Sequence, residues 1–216
     1  LLAAQKHALE LRLPLAVVFC LYPKNGVRAK EHYDFMLSGL KEVEQNLATF
    51  GIPFILLLGN PTQRLESTVK HFKPAAVYFD FNPLSGPRKL AEHIAKLAPT
   101  IVVDTHNVVP VRIASDKQEY AARTLRPKIH HFLPFYLQGL DPIALHSYPW
   151  SGKVIPLAEL PTEINDIIKQ IPRNNVHTTY TGGQEAAEKA LGDFIAHKLA
   201  GYAEQRNDPS QDGLSG

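Results

Sequence analysis

A single cysteine, Cys20, stands in this 216-residue chain, so neither a disulfide framework nor a cysteine-rich zinc site can be built from it. Cys20 lies inside an apolar run and reads as a small core residue in a reducing compartment. No run of about 18 apolar residues predicts a membrane helix, and no basic segment followed by an apolar one predicts a signal peptide. A soluble, monomeric protein of the cytoplasm, or of the nucleus in a eukaryote, is the expectation, with no membrane partner. The net charge of +2 is too mild to indicate a nucleic-acid partner by itself. None of the ten histidines falls in an H-x-H or H-E-x-x-H pattern. His130 and His131 are adjacent and would project about 100° apart on a helix, so no metal site is expected. The phosphate-binding patterns Gly-x-Gly-x-x-Gly and Walker A are missing too.

What is present alternates. Hydrophobic residues make up 44% of the chain, enough for a sizeable core. A helical pattern over residues 1–12 is followed by the apolar run Leu15 to Leu21, a buried strand. Tyr22 to Lys30 is a turn-rich segment whose Lys24, Arg28 and Lys30 form either a solvated loop or an anion-binding one. From Glu31 to Phe50 the residues Tyr33, Met36, Leu37, Leu40, Val43, Leu47 and Phe50 recur at helical spacing, with Gly51 and Pro53 as the stop. Ile52 to Leu58 is a strand, Thr62 to Phe72 a helix and Ala75 to Phe81 a strand ending near Asp80. The NPLSGP segment is a turn and Arg88 to Leu97 a helix.

Ile101 to Lys128 begins as a β-branched run, ends it on Asp104, and passes through a turn into a helix-prone segment, which Leu125 to Leu137 continues as a helix interrupted at Pro127 and Pro134. Asp104, His106 and Asn107 are either a ligand site at a strand end, where open α/β sheets place one, or the polar loop between a buried strand and a surface helix. The alternation predicts an α/β, doubly wound parallel sheet with helices on both faces, four strands visible and a fifth expected before Leu1. Because the chain opens without methionine inside a helical pattern and closes on DGLSG, a fragment is expected. The last pattern pairs Thr181 with Gln184 as a capping box and continues in one helix through Ala187, Leu191, Phe194, Ile195, Leu199 and Tyr202 to Arg206.

Four ordered segments then carry a specific likeness: FMLSGLKEVE (Phe35 to Glu44), DFNPL (Asp80 to Leu84), VDTHNVVP followed by ASDKQEYAARTLRPKI (Val103 to Ile129), and YAEQRNDPSQDGLS (Tyr202 to Ser215). Together they resemble the class II cyclobutane pyrimidine dimer photolyases. The resemblance implies an α/β domain of Rossmann-like topology, a doubly wound five-stranded parallel sheet, over 1–138, a connector over 139–180 and, over 181–216, the start of a helical domain that holds FAD. It implies a light-driven lyase that repairs cyclobutane pyrimidine dimers in DNA by electron transfer from reduced FAD, with a fragment of this extent inactive alone. A second, antenna chromophore of deazaflavin or folate type accompanies FAD in some relatives, and no residue pattern identifies one here. A cryptochrome-like blue-light photoreceptor and a stand-alone α/β nucleotide-binding module are the alternatives.

Carried over position by position, the resemblance makes Tyr202 a flavin contact and Arg206 a DNA contact. It makes Leu214, Ser215 and Gly216 the start of a phosphate-wrapping segment. Without it, Tyr202 is the last core residue of its helix and Arg206 a helix-end arginine interacting with the macrodipole. Gly216 departs from the family's asparagine, and Val111-Arg112 from its usual cysteine-tryptophan. The single tryptophan, Trp150, cannot form an electron-transfer chain alone. The resemblance moves the expected chemistry from Asp104 to the C-terminal residues.

Overall fold

The computed structural model describes residues 1–22, 30–152 and 180–211. Lys24 and Arg28 of the predicted loop, residues 153–179 of the connector, and Leu214, Ser215 and Gly216 lie outside the described residues.

Helix and strand alternate as the patterning predicts. The elements run α1 (Leu2–Leu11), β1 (Val17–Leu21), α2 (Lys30–Thr49), β2 (Phe54–Leu58), α3 (Pro61–Phe72), β3 (Val77–Asp80), α4 (Ser85–Ile94), β4 (Thr100–Val103), α5 (Val111–Ala114) and α6 (Ala122–Tyr136). Gln184–His197, here α7, is followed by a 3-10 turn over Leu199–Gly201 and a short α8, Tyr202–Gln205. Stops are encoded locally. Arg12 closes α1 and Lys73 closes α3 in the left-handed region, at φ 57° and 47°, while Gly51 takes φ 71° after α2 with no side-chain penalty.

Among the described residues the strands form two two-stranded sheets, β1 with β2 and β3 with β4. The second is parallel, with Val77 opposite Thr100 and Asp80 opposite Val103. Ile101 and Val102 of β4 are 37% and 50% exposed, so the run read as a buried strand is half open. On the described residues β4 pairs on one side only.

The chain divides into two compact units. One comprises Leu1–Leu13, Cys20–Tyr22 and Leu57–Ala144, and its buried side chains include Ala4, Leu21, Val69, Ile94, Val109 and Ala114. The buried Gln5 amide works there as a piece of backbone: Nε2 donates to the Ala144 carbonyl at 2.6 Å and Oε1 accepts from the Ala144 N–H at 3.2 Å. Tyr78 in β3 and His7 in α1 share a hydrogen bond of 2.8 Å. The other unit comprises Pro14–Phe19, Pro23–Leu56 and Leu145–Gly216, with Tyr33, Leu47, Ile52, Phe54, Ile55 and Leu56 buried. The α2 stripe holds at Tyr33 and Leu47, whereas its Val43 is 37% exposed. Cys20 is half-buried in β1, and burial pushes its thiol up to about 11, as suits an unreactive core residue.

Four local expectations need correction. The prolines at 127 and 134 sit inside a continuous α6, because a helical proline removes one backbone bond and leaves the flanking ladder intact. Helix α4 starts at Ser85, so the NPLSGP turn closes early: Asn82 Oδ1 accepts from the Leu84 N–H at 3.0 Å, and Pro87 falls in the first helical turn, where no N–H is needed. The C-terminal helix breaks at Lys198 instead of running to Arg206. Thr181 does not cap that helix; Gly183 occupies the cap position and has no side chain to offer.

Candidate functional site

Asp80 ends β3 and Asp104 immediately follows the end of the neighbouring strand β4. Thr105 Oγ1 donates to Asp80 Oδ1 at 3.0 Å. Asp104 Oδ2 accepts from the Val111 N–H at 2.8 Å, and its Oδ1 accepts from Asn107 Nδ2 at 2.9 Å. Partial burial pushes the Asp104 carboxyl up, but the Val111 N–H, the Asn107 amide and the backbone N–H groups of His106 and Asn107 outweigh it. The group therefore sits below the ordinary carboxylate value. Both its oxygens are occupied in holding the turn and the first residue of α5, while His106 and Asn107 are exposed. This edge is a structural turn built on a charge.

A second cluster has no signature in the sequence. Lys128 Nζ donates to Glu119 Oε1 at 2.5 Å and to Ser115 Oγ at 3.1 Å, and Ser115 Oγ donates to the same carboxylate oxygen at 2.8 Å. The lysine, then the Thr124 and Ser115 hydroxyls, hold the Glu119 carboxyl down at about 2. These bonds close the segment between α5 and α6 and leave Tyr120 beside it 88% exposed. A spacing of nine residues between the charges matches no helical pair, so sequence periodicity could not reveal it.

Of the C-terminal residues, the structure brings Tyr202 and Arg206 together. Tyr202 opens α8 half-buried, its ring edge-to-face with Phe194 at 5.5 Å between centroids. The Arg206 guanidinium lies 5.8 Å from the Tyr202 ring centroid, within cation–π range, and is otherwise exposed. Phe194, Tyr202 and Arg206 thus form one small stack at the α7–α8 break. Beside it, Leu191, Ile195 and Leu199 are 57%, 56% and 51% exposed, so the apolar stripe read from sequence is real as a pattern and uncovered as a surface.

The stack's supporting helix is held from a distance. Glu42 Oε2, on α2, accepts from the backbone N–H groups of Gln184 at 2.6 Å and Glu185 at 3.2 Å. Ser38 Oγ donates to the Gly182 carbonyl at 3.2 Å, and Asn46 Nδ2 donates to Gln184 Oε1 at 3.3 Å. A Cβ on Gly182 would stand 2.0 Å from the Phe35 carbonyl oxygen. The only sequence signal for this contact is the Gly182-Gly183 pair itself.

A tyrosine ring and hydroxyl, an exposed guanidinium and an uncovered apolar stripe suit the margin of an aromatic, phosphate-bearing ligand. Among the described residues no group of three or more His, Cys, Asp and Glu could hold a metal ion, and no helix is long and apolar enough to cross a membrane.

The chain is similar to known proteins over nearly its whole length. Over 99% of its length the chain is 35% identical to the deoxyribodipyrimidine photo-lyase of Potorous tridactylus, of which it covers 41%. Over 94% of its length it is 28% identical to the protein of that name from Arabidopsis thaliana, covering 44% of it. It spans less than half the length of these curated relatives. Among solved structures it superposes on a class III photolyase from Agrobacterium tumefaciens at TM-score 0.64 and 16% identity, covering 99% of this chain and 45% of that one. A cryptochrome from Synechocystis matches at TM-score 0.64 and 17% identity, over 95% of this chain and 46% of that one. At those identities the two likenesses speak to the α/β fold alone. Residues 1–144 match the DNA photolyase family, and the chain belongs to that family.

Proposed function

We propose that this chain is the N-terminal part of a class II deoxyribodipyrimidine photo-lyase, an enzyme that uses light to split cyclobutane pyrimidine dimers in DNA. The observation that carries the photo-lyase reading is the extent of the likeness to the Potorous protein: it covers 99% of the chain and so continues past residue 144 to the segment with Tyr202 and Arg206, while the class II assignment rests on the four ordered motifs. In this reading residues 1–138 form the α/β domain, 139–180 a connector and 181–216 the start of the flavin-binding helical domain.

Tyr202 offers its ring and hydroxyl to FAD, and Leu214, Ser215 and Gly216 offer a hydroxyl and backbone N–H groups to its phosphates. Bound and reduced, FAD would supply the electron that opens the dimer's ring on illumination. Arg206, held against Tyr202 at 5.8 Å, meets the DNA backbone. Each phosphate neutralised by such a cation releases counterions, so binding falls as salt rises. The α/β domain is where an antenna chromophore of deazaflavin or folate type, carried by some relatives, would sit in this reading. The protein acts as a monomer in the cytoplasm, or in the nucleus of a eukaryote.

The test is repair by the full-length protein. Loaded with flavin and illuminated, it should remove pyrimidine dimers from an irradiated oligonucleotide. Persistent dimers at full flavin occupancy would overturn the enzyme reading and leave a photoreceptor of cryptochrome type. Arg206→Ala should weaken binding to damaged DNA with flavin content unchanged.

A further inference from the structure

We propose that Glu42 is a positioning residue: it is the N-cap of α7, supplied by α2, and sets where the segment carrying Tyr202 and Arg206 lies. A helix leaves its first N–H groups without intrahelical partners, and an adjacent side chain normally satisfies them. Here the adjacent residue is Gly183, at φ 130°. The Glu42 carboxylate takes two of those N–H groups from sequence distances of 142 and 143 residues, and its negative charge meets the positive end of the helix.

The surroundings make the seat specific. Phe35, Ser38, Glu42 and Asn46 recur at three and four along α2 and therefore share one face. That face meets the Gly182–Gln184 backbone through a carbonyl, a hydroxyl and a carboxylate, and the Gln184 side chain through the Asn46 amide. A Cβ on Gly183 would come within 2.0 Å of Glu42 Oε1, and one on Gly39 would come 3.4 Å from the Gly183 N. The two backbones thus meet through glycines, and Glu42 fills the place a local capping side chain would take. Only the consequence for Tyr202 and Arg206 rests on the flavin reading; the cap does not.

Amide hydrogen exchange at Gln184 and Glu185 tests the cap directly. Glu42→Ala should accelerate exchange at these two amides about fivefold to tenfold, the size of a lost N-cap. Glu42→Gln keeps an acceptor oxygen and should restore most of the protection. Gly183→Ala, which crowds the carboxylate and strains the backbone, should reproduce the acceleration with Glu42 intact. Unchanged exchange in Glu42→Ala would overturn the cap. In the full-length protein, flavin retention should fall in Glu42→Ala and recover in Glu42→Gln. Faster exchange with flavin retention unchanged would overturn the positioning role while leaving the cap. A wild-type full-length protein that holds no flavin would overturn the reading beneath that role, and the exchange result would still decide the cap.

Discussion

Helices α3 and α7 meet the same physical need by opposite routes. At α3 the cap is local: Asn60 Oδ1 accepts from the N–H groups of Thr62 at 3.0 Å and Gln63 at 3.4 Å, and Pro61 begins the helix where no N–H is needed. At α7 the local position is glycine, and the acceptor comes from α2. The difference teaches what a cap can do besides ending a helix. A local cap makes a helix start at a given residue wherever the helix lies, whereas a distant one ties its start to a place in the fold.

Breaking the glycine seat should have the largest effect. Gly182→Ala puts a methyl 2.0 Å from the Phe35 carbonyl oxygen, a backbone atom that cannot swing aside. Overpacking of this kind should cost about 3 kcal/mol, and chemical denaturation should show it. Glu42→Ala removes the distant cap and should cost about 1–2 kcal/mol by the same measurement. Asn60→Ala should cost about 1 kcal/mol and fray only α3, with exchange at Gln184 unchanged, which separates the two routes cleanly.

The smallest effect sharpens the comparison with a clamp of intermediate span. Glu119 is held at about 2 by Lys128, Thr124 and Ser115 against an ordinary 4.5. A carboxyl whose folded value is depressed stabilises the fold fully above its unfolded value and loses that contribution as the pH falls through the folded one. The clamp's contribution is therefore full above about pH 4.5, shrinks as the pH falls toward about 2 and is gone below, and Lys128→Met should return the Glu119 carboxyl resonance toward an ordinary titration. A Glu119 titrating near 4.5 in the wild type would remove the clamp.

Legibility followed the range of the interaction. Asn60-Pro61, Gly51 and the apolar runs before Asp80 and Asp104 announce their roles in adjacent residues, and the elements built on them stand where the patterning put them. Thr181 and Gln184 have the spacing of a capping box, but the box presumes a helix starting at the next residue; with α7 starting at Gln184, Glu42 supplies the acceptor. The apolar stripe of the last helix was read correctly as periodicity and incompletely as structure, since Lys198 to Gly201 turn out of the helix before Tyr202. Within the candidate site, only family likeness marks Tyr202 and Arg206 in the sequence, and their mutual stacking depends on that turn. The Asp104 edge, favoured on topology alone, became a capped turn once both its oxygens had backbone or amide partners nearby.

Local spacing and chain stiffness determine where helices and strands form, because those preferences depend on residues within a few positions of each other. They also determine the α/β alternation and, through ordered motifs, the family. Which carboxylate caps α7, which lysine holds Glu119 and how Arg206 comes over Tyr202 were decided only when the chain closed on itself. Hydrogen bonds and cation–π contacts act over a few ångströms, and nothing in the order of residues says which distant groups will come that near.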